Sequence, residues 1–495
     1  MFRLSGVITG VMAAAVMLTT LPFGQVAAAG NGLLIGEKDF PSYEFRVYLL
    51  SEVDKDHNGL LSDKEISDTK KIDFPAFIGK LDDDKIELIG KNGWLDTLKG
   101  IERFKNLETL IATEQLLKEI DISKNANLKV LNVGINEIKK LDVSKNTKLT
   151  ELSAFECGNL TELDVSKNKN LKELNINYCP IKKLDVTKNT KLTSLSCIET
   201  NIKSLDLTGN TALKAINIPF YGMSKIVVAA GSSMSVNDNA YYDLTSSDEK
   251  IAKIGESRMD SKCKCIVNGK QAGHAALTVK CREYYNEPDP DHPGSSKMKW
   301  KYTDWSGKLD LQVLYKDVKD ASKFWYEPTN TLTNKGVVKG YDKQTTFKPD
   351  NQCTRAQMVT FLWRLKGSPA PKSKTLSFKD VKKGDYYYDA VVWAVEKGIT
   401  TGVSKTKFDP SGVCTRGQTV TFLWRMAGKP SVGSAKNPFK DVKKSNYFYD
   451  AVIWAAGKKI VAGYSNGTFK PSGKCTRRQM VTFLYKYDKF VNGKG

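Results

Sequence analysis

Leu128-Lys-Val-Leu-Asn-Val-Gly-Ile-Asn-Glu-Ile-Lys-Lys-Leu-Asp-Val-Ser-Lys-Asn146 is one turn of a chain that repeats itself. Its first leucine returns at Leu149, Leu171, Leu192 and Leu213, in steps of 21 or 22 residues. A unit this short cannot bury its own leucines, so successive copies must stack and share one core. The closing Leu-Asp-Val-Ser-Lys-Asn recurs at 141–146 and 163–168, and with Thr for Ser at 184–189. Stacked Asn146, Asn168, Asn189 and Asn210 are expected to form a ladder that satisfies turn backbone groups. The residues between the buried leucines should share one surface. On it Phe155, Asn175, Asn177 and Ile198 are candidate partner-binding residues. A merely solvated face explains the same residues equally well, and the Leu-Asp-Val half could equally be the strand. Residues 81–104, with Trp94 and Leu98, read as the cap and first turn.

Ahead of the repeats, residues 30–80 carry a twelve-residue loop with oxygen ligands at calcium spacing. Asp54, Asp56 and Asn58 occupy positions 1, 3 and 5, and Gly59 supplies the sharp turn at 6. Leu60 offers its carbonyl at 7, Ser62 sits at 9, and Glu65 is the bidentate residue at 12. The expectation is one bound calcium, acting as a static brace because there is a single loop. Residues 1–29 have a basic start at Arg3, an apolar stretch from Val7 to Leu21 and small residues Ala27-Ala-Ala29, the pattern of a secretory signal peptide. No later window holds the roughly 18 apolar residues a membrane span needs. The mature chain is therefore expected to be released or held non-covalently.

After the repeats, residues 219–314 alternate β-branched and polar residues with Gly and Ser turns, which predicts a small antiparallel sandwich. The last third repeats three times with a step near 62 residues. Tyr315-Lys-Asp-Val, Phe378-Lys-Asp-Val and Phe439-Lys-Asp-Val open units at 315–368, 378–430 and 439–490. A helix, a Gly turn and Phe347, Phe408 or Phe469 two residues before proline follow. Thr354, Thr415 and Thr476 then N-cap a second helix.

The chain of 495 residues carries a net charge of +21, and its 40% hydrophobic content fits folded domains. Residues 315–495 hold 34 basic and 13 acidic residues, so the whole excess lies there and residues 1–314 are neutral. A local basic surface on an exported chain points to an anionic extracellular polymer and away from nucleic acid. Among nine cysteines, Cys353, Cys414 and Cys475 precede the same Thr-Arg pair, which reads as an equivalent buried site. For Cys263, Cys265 and Cys281, a bridge to Cys281 and free thiols both fit the spacing. Three histidines, and no Cys/His cluster at zinc spacing, leave little material for a zinc site.

These motifs resemble known families. The 21-residue unit is similar to the leucine-rich repeats of bacterial surface proteins, in a variety often preceded by an EF-hand-like segment. Residues 225–314 resemble bacterial immunoglobulin-like domains through Ser247-Asp248, Ile251-Ala252 and Ala272–Val279. Residues 315–490 resemble S-layer homology repeats, through the aromatic-x-Asp-Val opening, the Gly turn, the Phe-x-Pro and the Thr-Arg helix start. The implied architecture is multidomain α+β: a solenoid, a β-sandwich and a mainly helical pseudo-threefold bundle. The S-layer resemblance implies binding of a secondary cell-wall polysaccharide, often through a pyruvylated sugar. By position it implicates Asp317, Asp380 and Asp441, Arg355, Arg416 and Arg477, and Trp393 and Trp454. Thr331 replaces the tryptophan in the first unit and Pro328 opens its helix, which predicts an impaired first groove. Gln357, Gln418 and Gln479 stand at the usual acidic position.

The expected function is a non-enzymatic protein on a bacterial, Gram-positive surface. Its C-terminus clamps the wall polymer, and its solenoid displays a face for adhesion to a protein or glycan. A structural spacer without a ligand is the alternative. A surface hydrolase is disfavoured, because His57, His274 and His292 have no evident catalytic partners in the sequence.

Overall fold

The computed structural model describes residues 32–80, 94–219, 222–237, 241–259, 262–288, 296–373 and 375–493. The signal segment, His292 and part of the cap at 81–93 lie outside the described residues, as do the side chains of Cys263, Cys265 and Cys281. The chain divides into two compact units, one of residues 1–269 and 275–312, the other of 270–274 and 313–495.

The first unit begins with β1 (Leu33–Leu34), α1 (Tyr43–Tyr48, continued by a π-turn through Val53), β2 (Leu60–Leu61), α2 (Asp63–Asp68), β3 (Lys71–Asp73) and α3 (Phe74–Ile78). One three-residue strand per repeat then follows: β4 (Thr109–Ile111), β5 (Val130–Asn132), β6 (Glu151–Ser153), β7 (Glu173–Asn175) and β8 (Ser194–Ser196). β9 (Ser204–Asp206) and β10 (Ala215–Asn217) complete the series. The strand is thus the Leu-x-x-Leu half. The Leu-Asp-Val half forms turns until Ser204–Asp206, where it becomes β9. From β3 to β8 the strands are parallel neighbours in register, and β8 pairs with β10. Each repeat buries its apolar set: Leu128, Leu131, Val133, Ile138, Leu141 and Val143 are all at most 5% exposed.

Two internal ladders hold the turns. Asn146 donates to the carbonyls of Ile122 and Asn125, and Asn168 to Val143 and Asn146. Asn189 and Asn210 continue the pattern, and Asn125 starts it by donating to Ile101 and Phe104. The amide suits this role because it can donate two N–H bonds to the turn before it. In the second ladder Asn136 donates to Ala112, Val133 and Gly134. Its successors are cysteines: the thiol of Cys157 donates to Val133 at 3.3 Å, and that of Cys179 to Ala154 at 2.9 Å.

The expected boundary at residue 219 does not interrupt the sheets. β11 (Lys225–Ala229) adds in parallel to β9, and β12 (Ser233–Asn237) adds in parallel to β10. Beyond them lie β13 (Tyr241–Ser246), β14 (Ala252–Met259), β15 (Lys262–Gly269), β16 (Gly273–Pro288) and β17 (Ser296–Leu314). One sheet runs β14-β15-β12-β10 and on through the solenoid to β3; the other runs β13-β16-β17-β11-β9. Ile226, Met234, Leu244, Val267, Leu277, Leu309 and Leu311 from the two sheets line one apolar interior. This two-layer β region is therefore an extension of the solenoid, with its first strands templated by the last repeats.

The second unit contains α4 (Tyr326–Asn334), α5 (Arg355–Leu365), α6 (Tyr388–Glu396), α7 (Arg416–Met426), α8 (Tyr449–Gly457) and α9 (Arg477–Phe490). α5, α7 and α9 each start with a Thr/Gln capping box, which explains the glutamines: each accepts the N-cap backbone N–H, as a glutamate would. Each unit's opening aromatic packs on the phenylalanine of its own Phe-x-Pro, with ring centroids 5.7, 5.8 and 5.4 Å apart. A Cβ on Gly340 would lie 2.4 Å from the Tyr315 ring, so glycine is required where that turn crosses the aromatic.

Candidate functional site

The three units close into a ring. The Cys353 N–H donates to the Cys475 carbonyl at 2.9 Å, Cys414 to Cys353 at 2.9 Å, and Cys475 to Cys414 at 2.8 Å. Around this centre each motif arginine reaches into the next unit. Arg355 Nε donates to the Phe408 carbonyl at 2.7 Å, Arg416 Nε to Phe469 at 2.9 Å, and Arg477 Nε to Phe347 at 2.8 Å. The motif aspartates hold the same three loops from within their own units. Asp317 accepts the N–H groups of Phe347 and Lys348, Asp380 those of Phe408 and Asp409, and Asp441 those of Phe469 and Lys470. Lys348, Asp409 and Lys470 have φ of 56, 61 and 55°, so these loops need such external clamps.

The arginines, expected to present forks to a ligand, are instead largely buried, although Arg477 still lines the groove described next. Arg355, Arg416 and Arg477 are 4, 5 and 1% exposed, and their guanidinium groups stack on phenylalanine rings of the bundle. Trp393 and Trp454, at 4 and 6% exposed, are core residues and offer no ring to a sugar. Burial explains both placements: the bundle uses these side chains to close itself.

A groove of ≈ 450 Å³ does open on this surface. It is lined by Lys339, Gly340, Tyr341, Gln357, Thr360, Phe361, Arg364, Tyr386 and Arg477, drawn from all three units. The Tyr341 hydroxyl accepts from Gln357 Nε2 at 2.7 Å, and Tyr386 is 64% exposed. Arg364 is half-buried, and its guanidinium has no hydrogen bond or ion pair among the described residues. Desolvation by burial pulls its pKa below the usual arginine value. A desolvated cation with no ion pair among the described residues thus shares this groove with two phenols. Tyr341, Arg364 and Tyr386 were not singled out from the sequence. The available signal was an aromatic at a fixed place before each first helix, at Phe324, Tyr386 and Tyr447, off the apolar face. Thr331 and Pro328 lie on α4 and are not among the residues that line this groove.

The predicted calcium loop brings three of its six expected ligands together. Asp54, Asp56 and Glu65 place carboxylate oxygens within 4.8 Å of one another. Asp54 is fully buried and accepts the N–H groups of Asn58 and Gly59, while burial raises its pKa. Glu65 accepts from the N–H groups of Lys55 and Ser62, and Asn58 Oδ1 from Leu60. Leu60 and Leu61 pair with Leu34 and Leu33, so the strand edge of a single loop is satisfied within the chain. Convergent hard oxygens with one desolvated carboxylate fit a calcium ion.

On the solenoid, Ile198 is 7% exposed and faces the core. Asn177 Oδ1 is used by Ile198 N–H and the Ser196 hydroxyl, and Asn175 Oδ1 by Asn177 N–H. Ile198 thus belongs to the core, while Asn175 and Asn177 hydrogen-bond along the repeat surface and stay partly exposed on it. Phe155 lies across Gly134, half-buried, and Tyr178, not predicted, is 46% exposed.

Residues 314–359, 377–420 and 438–481 match the model of the S-layer homology domain. The S-layer protein of Bacillus thuringiensis subsp. finitimus is 35% identical over 24% of this chain and 14% of its own length. An endoglucanase of Bacillus sp. (strain KSM-635) is 32% identical over 25% of this chain and 13% of its own. The cellulosome-anchoring protein of Acetivibrio thermocellus is 26% identical over 30% of this chain and 34% of its own. The chain thus spans a minor part of the curated relatives it matches. A functional domain of InlJ from Listeria monocytogenes, titled as including a cysteine ladder, is similar at 16% identity. That likeness covers 44% of this chain and 64% of that one at a TM-score of 0.23. No helix among the described residues is long and apolar enough to cross a membrane. The C-terminal third of the chain is accordingly built from three S-layer homology domains.

Proposed function

We propose that the chain is a non-enzymatic bacterial surface protein. It is held to an anionic wall polysaccharide by the Tyr341–Arg364–Tyr386 groove of its C-terminal bundle. The observation that carries this is Arg364, a half-buried guanidinium with no ion pair among the described residues, lining a groove with Tyr341, Phe361 and Tyr386 in a unit that holds the chain's whole net charge. A carboxylate-bearing sugar such as a pyruvyl ketal supplies that charge, and its ring face suits the tyrosines. The names of the S-layer and cellulosome-anchoring relatives support the same reading. The solenoid would then be the displayed part, with Phe155 and Tyr178 on its surface for a protein or glycan partner. Asp54, Asp56, Asn58, the Leu60 carbonyl, Ser62 and Glu65 would hold calcium as a brace at its start.

The test is co-sedimentation of the full chain with purified Gram-positive cell walls, before and after the anionic polymer is stripped from them. Wild type should pellet with intact walls only. Arg364→Gln, folded as judged by its melting temperature, should stay in the supernatant. Pelleting of Arg364→Gln at the wild-type level would overturn the site.

A further inference from the structure

The threefold relation generates three positions for the groove, and the sequence fills them differently. The first joins Tyr341, Arg364 and Tyr386 with Arg477 behind them. One step around the ring, the same places are taken by Val403, Arg425 and Tyr447 with Arg355 behind them. The next step gives Tyr464, Lys486 and Phe324 with Arg416. Contacts support the correspondence: the guanidinium of Arg477 lies 4.7 Å from the Tyr341 ring centroid, and that of Arg416 lies 5.2 Å from Tyr464.

We infer that the three grooves are unequal, and that the one built on Tyr341, Arg364 and Tyr386 is the single tight site for an anionic sugar. This rests on the polymer-binding reading above. Only that groove combines a free arginine fork with two phenols. In the second position Arg425 spends Nη1 on the Ile399 carbonyl at 3.2 Å, and Val403 offers no ring to a sugar. Arg355 Nη2 also lacks a partner there, but it is closed off from solvent and cannot meet a ligand. In the third position Lys486 is a point charge without the bidentate fork, and Phe324 has no hydroxyl to donate. Each such loss weakens binding of a carboxylate sugar by about tenfold. Tyr341, Val403 and Tyr464 are therefore specificity-determining positions, as are Arg364, Arg425 and Lys486.

Isothermal titration of the full chain with the methyl glycoside of a pyruvylated N-acetylhexosamine tests this. One tight site per chain is expected, lost in Arg364→Gln and kept in Arg425→Gln and Lys486→Gln. Val403→Tyr, at a position already 50% exposed, should add a second site without disturbing the fold. Three equal sites per chain, or equal losses in the Arg364 and Arg425 variants, would overturn the inequality while leaving the polymer reading intact. No binding by wild type would overturn the polymer reading itself.

Discussion

Replacing Arg477 by alanine separates closure of the bundle from ligand binding. Arg477 is 1% exposed; its Nε donates to the Phe347 carbonyl at 2.8 Å and its Nη2 to the Lys339 carbonyl at 2.9 Å. Truncation leaves both carbonyls without this donor and removes the stacking on Tyr341, Phe347 and Phe361. Hydrogen bonds to a charged donor contribute about 1.5–3 kcal/mol each, and regained solvation of the arginine offsets part of the loss. A net cost of about 3–5 kcal/mol follows, a fall in melting temperature of roughly 10 °C for a unit of this size.

The other two arginines should rank below it. Arg416 makes the same pair with a longer second bond, 3.3 Å to the Ala462 carbonyl, and Arg355 Nη2 has no partner. Differential scanning calorimetry of the three alanine variants should therefore order them Arg477, Arg416, Arg355 from largest to smallest loss. Arg364→Gln breaks no bond and should stay within about 0.5 kcal/mol of wild type while losing wall binding. If Arg477→Ala melted with wild type yet failed to bind walls, the arginine would be a ligand and the closure argument would fail.

Asn168→Ala removes donors to the Val143 and Asn146 carbonyls in the solenoid interior, so urea unfolding should show a loss of about 2–4 kcal/mol; a loss under about 0.5 kcal/mol would mean the ladder is idle. Gly134→Ala puts a Cβ 2.2 Å from the Phe155 ring; it should destabilise the wild type but be tolerated in a Phe155→Ala background, giving a coupling energy in a double-mutant cycle. The Cys157 and Cys475 thiols are pushed up to about 11 and those of Cys179, Cys197 and Cys414 to about 12, in each case by burial. Alkylation at pH 8 followed by peptide mass spectrometry should leave these five unmodified until denaturant is added. Chelation should lower the melting temperature of the first unit, and added calcium should restore it in wild type but not in Asp54→Asn; identical melting with and without chelator would remove the calcium assignment.

The solenoid was legible because its information is local. A leucine returning every 21 or 22 residues fixes the stack, and the buried asparagine ladder follows from it. The β region was half legible: alternation revealed strands, but that β11 and β12 continue β9 and β10 depends on pairing across the expected boundary. Ile198 was placed on the outer face because period alone cannot distinguish a side chain that packs inward at the end of a strand from one that meets solvent.

In the bundle, recurrence itself misled. Asp and Arg recur in every unit, and recurrence reads as a binding motif; yet ring closure constrains all three copies in the same way, since each loop must be clamped by its own aspartate and its neighbour's arginine. A residue that every copy needs for closure cannot vary without opening the ring. A residue that meets a ligand is free to differ from groove to groove, and Tyr341/Val403/Tyr464, Arg364/Arg425/Lys486 and Tyr386/Tyr447/Phe324 do differ. Within an internally repeated fold, the side chains that set affinity are therefore to be sought at exposed positions where the copies disagree, framed by buried positions where they agree.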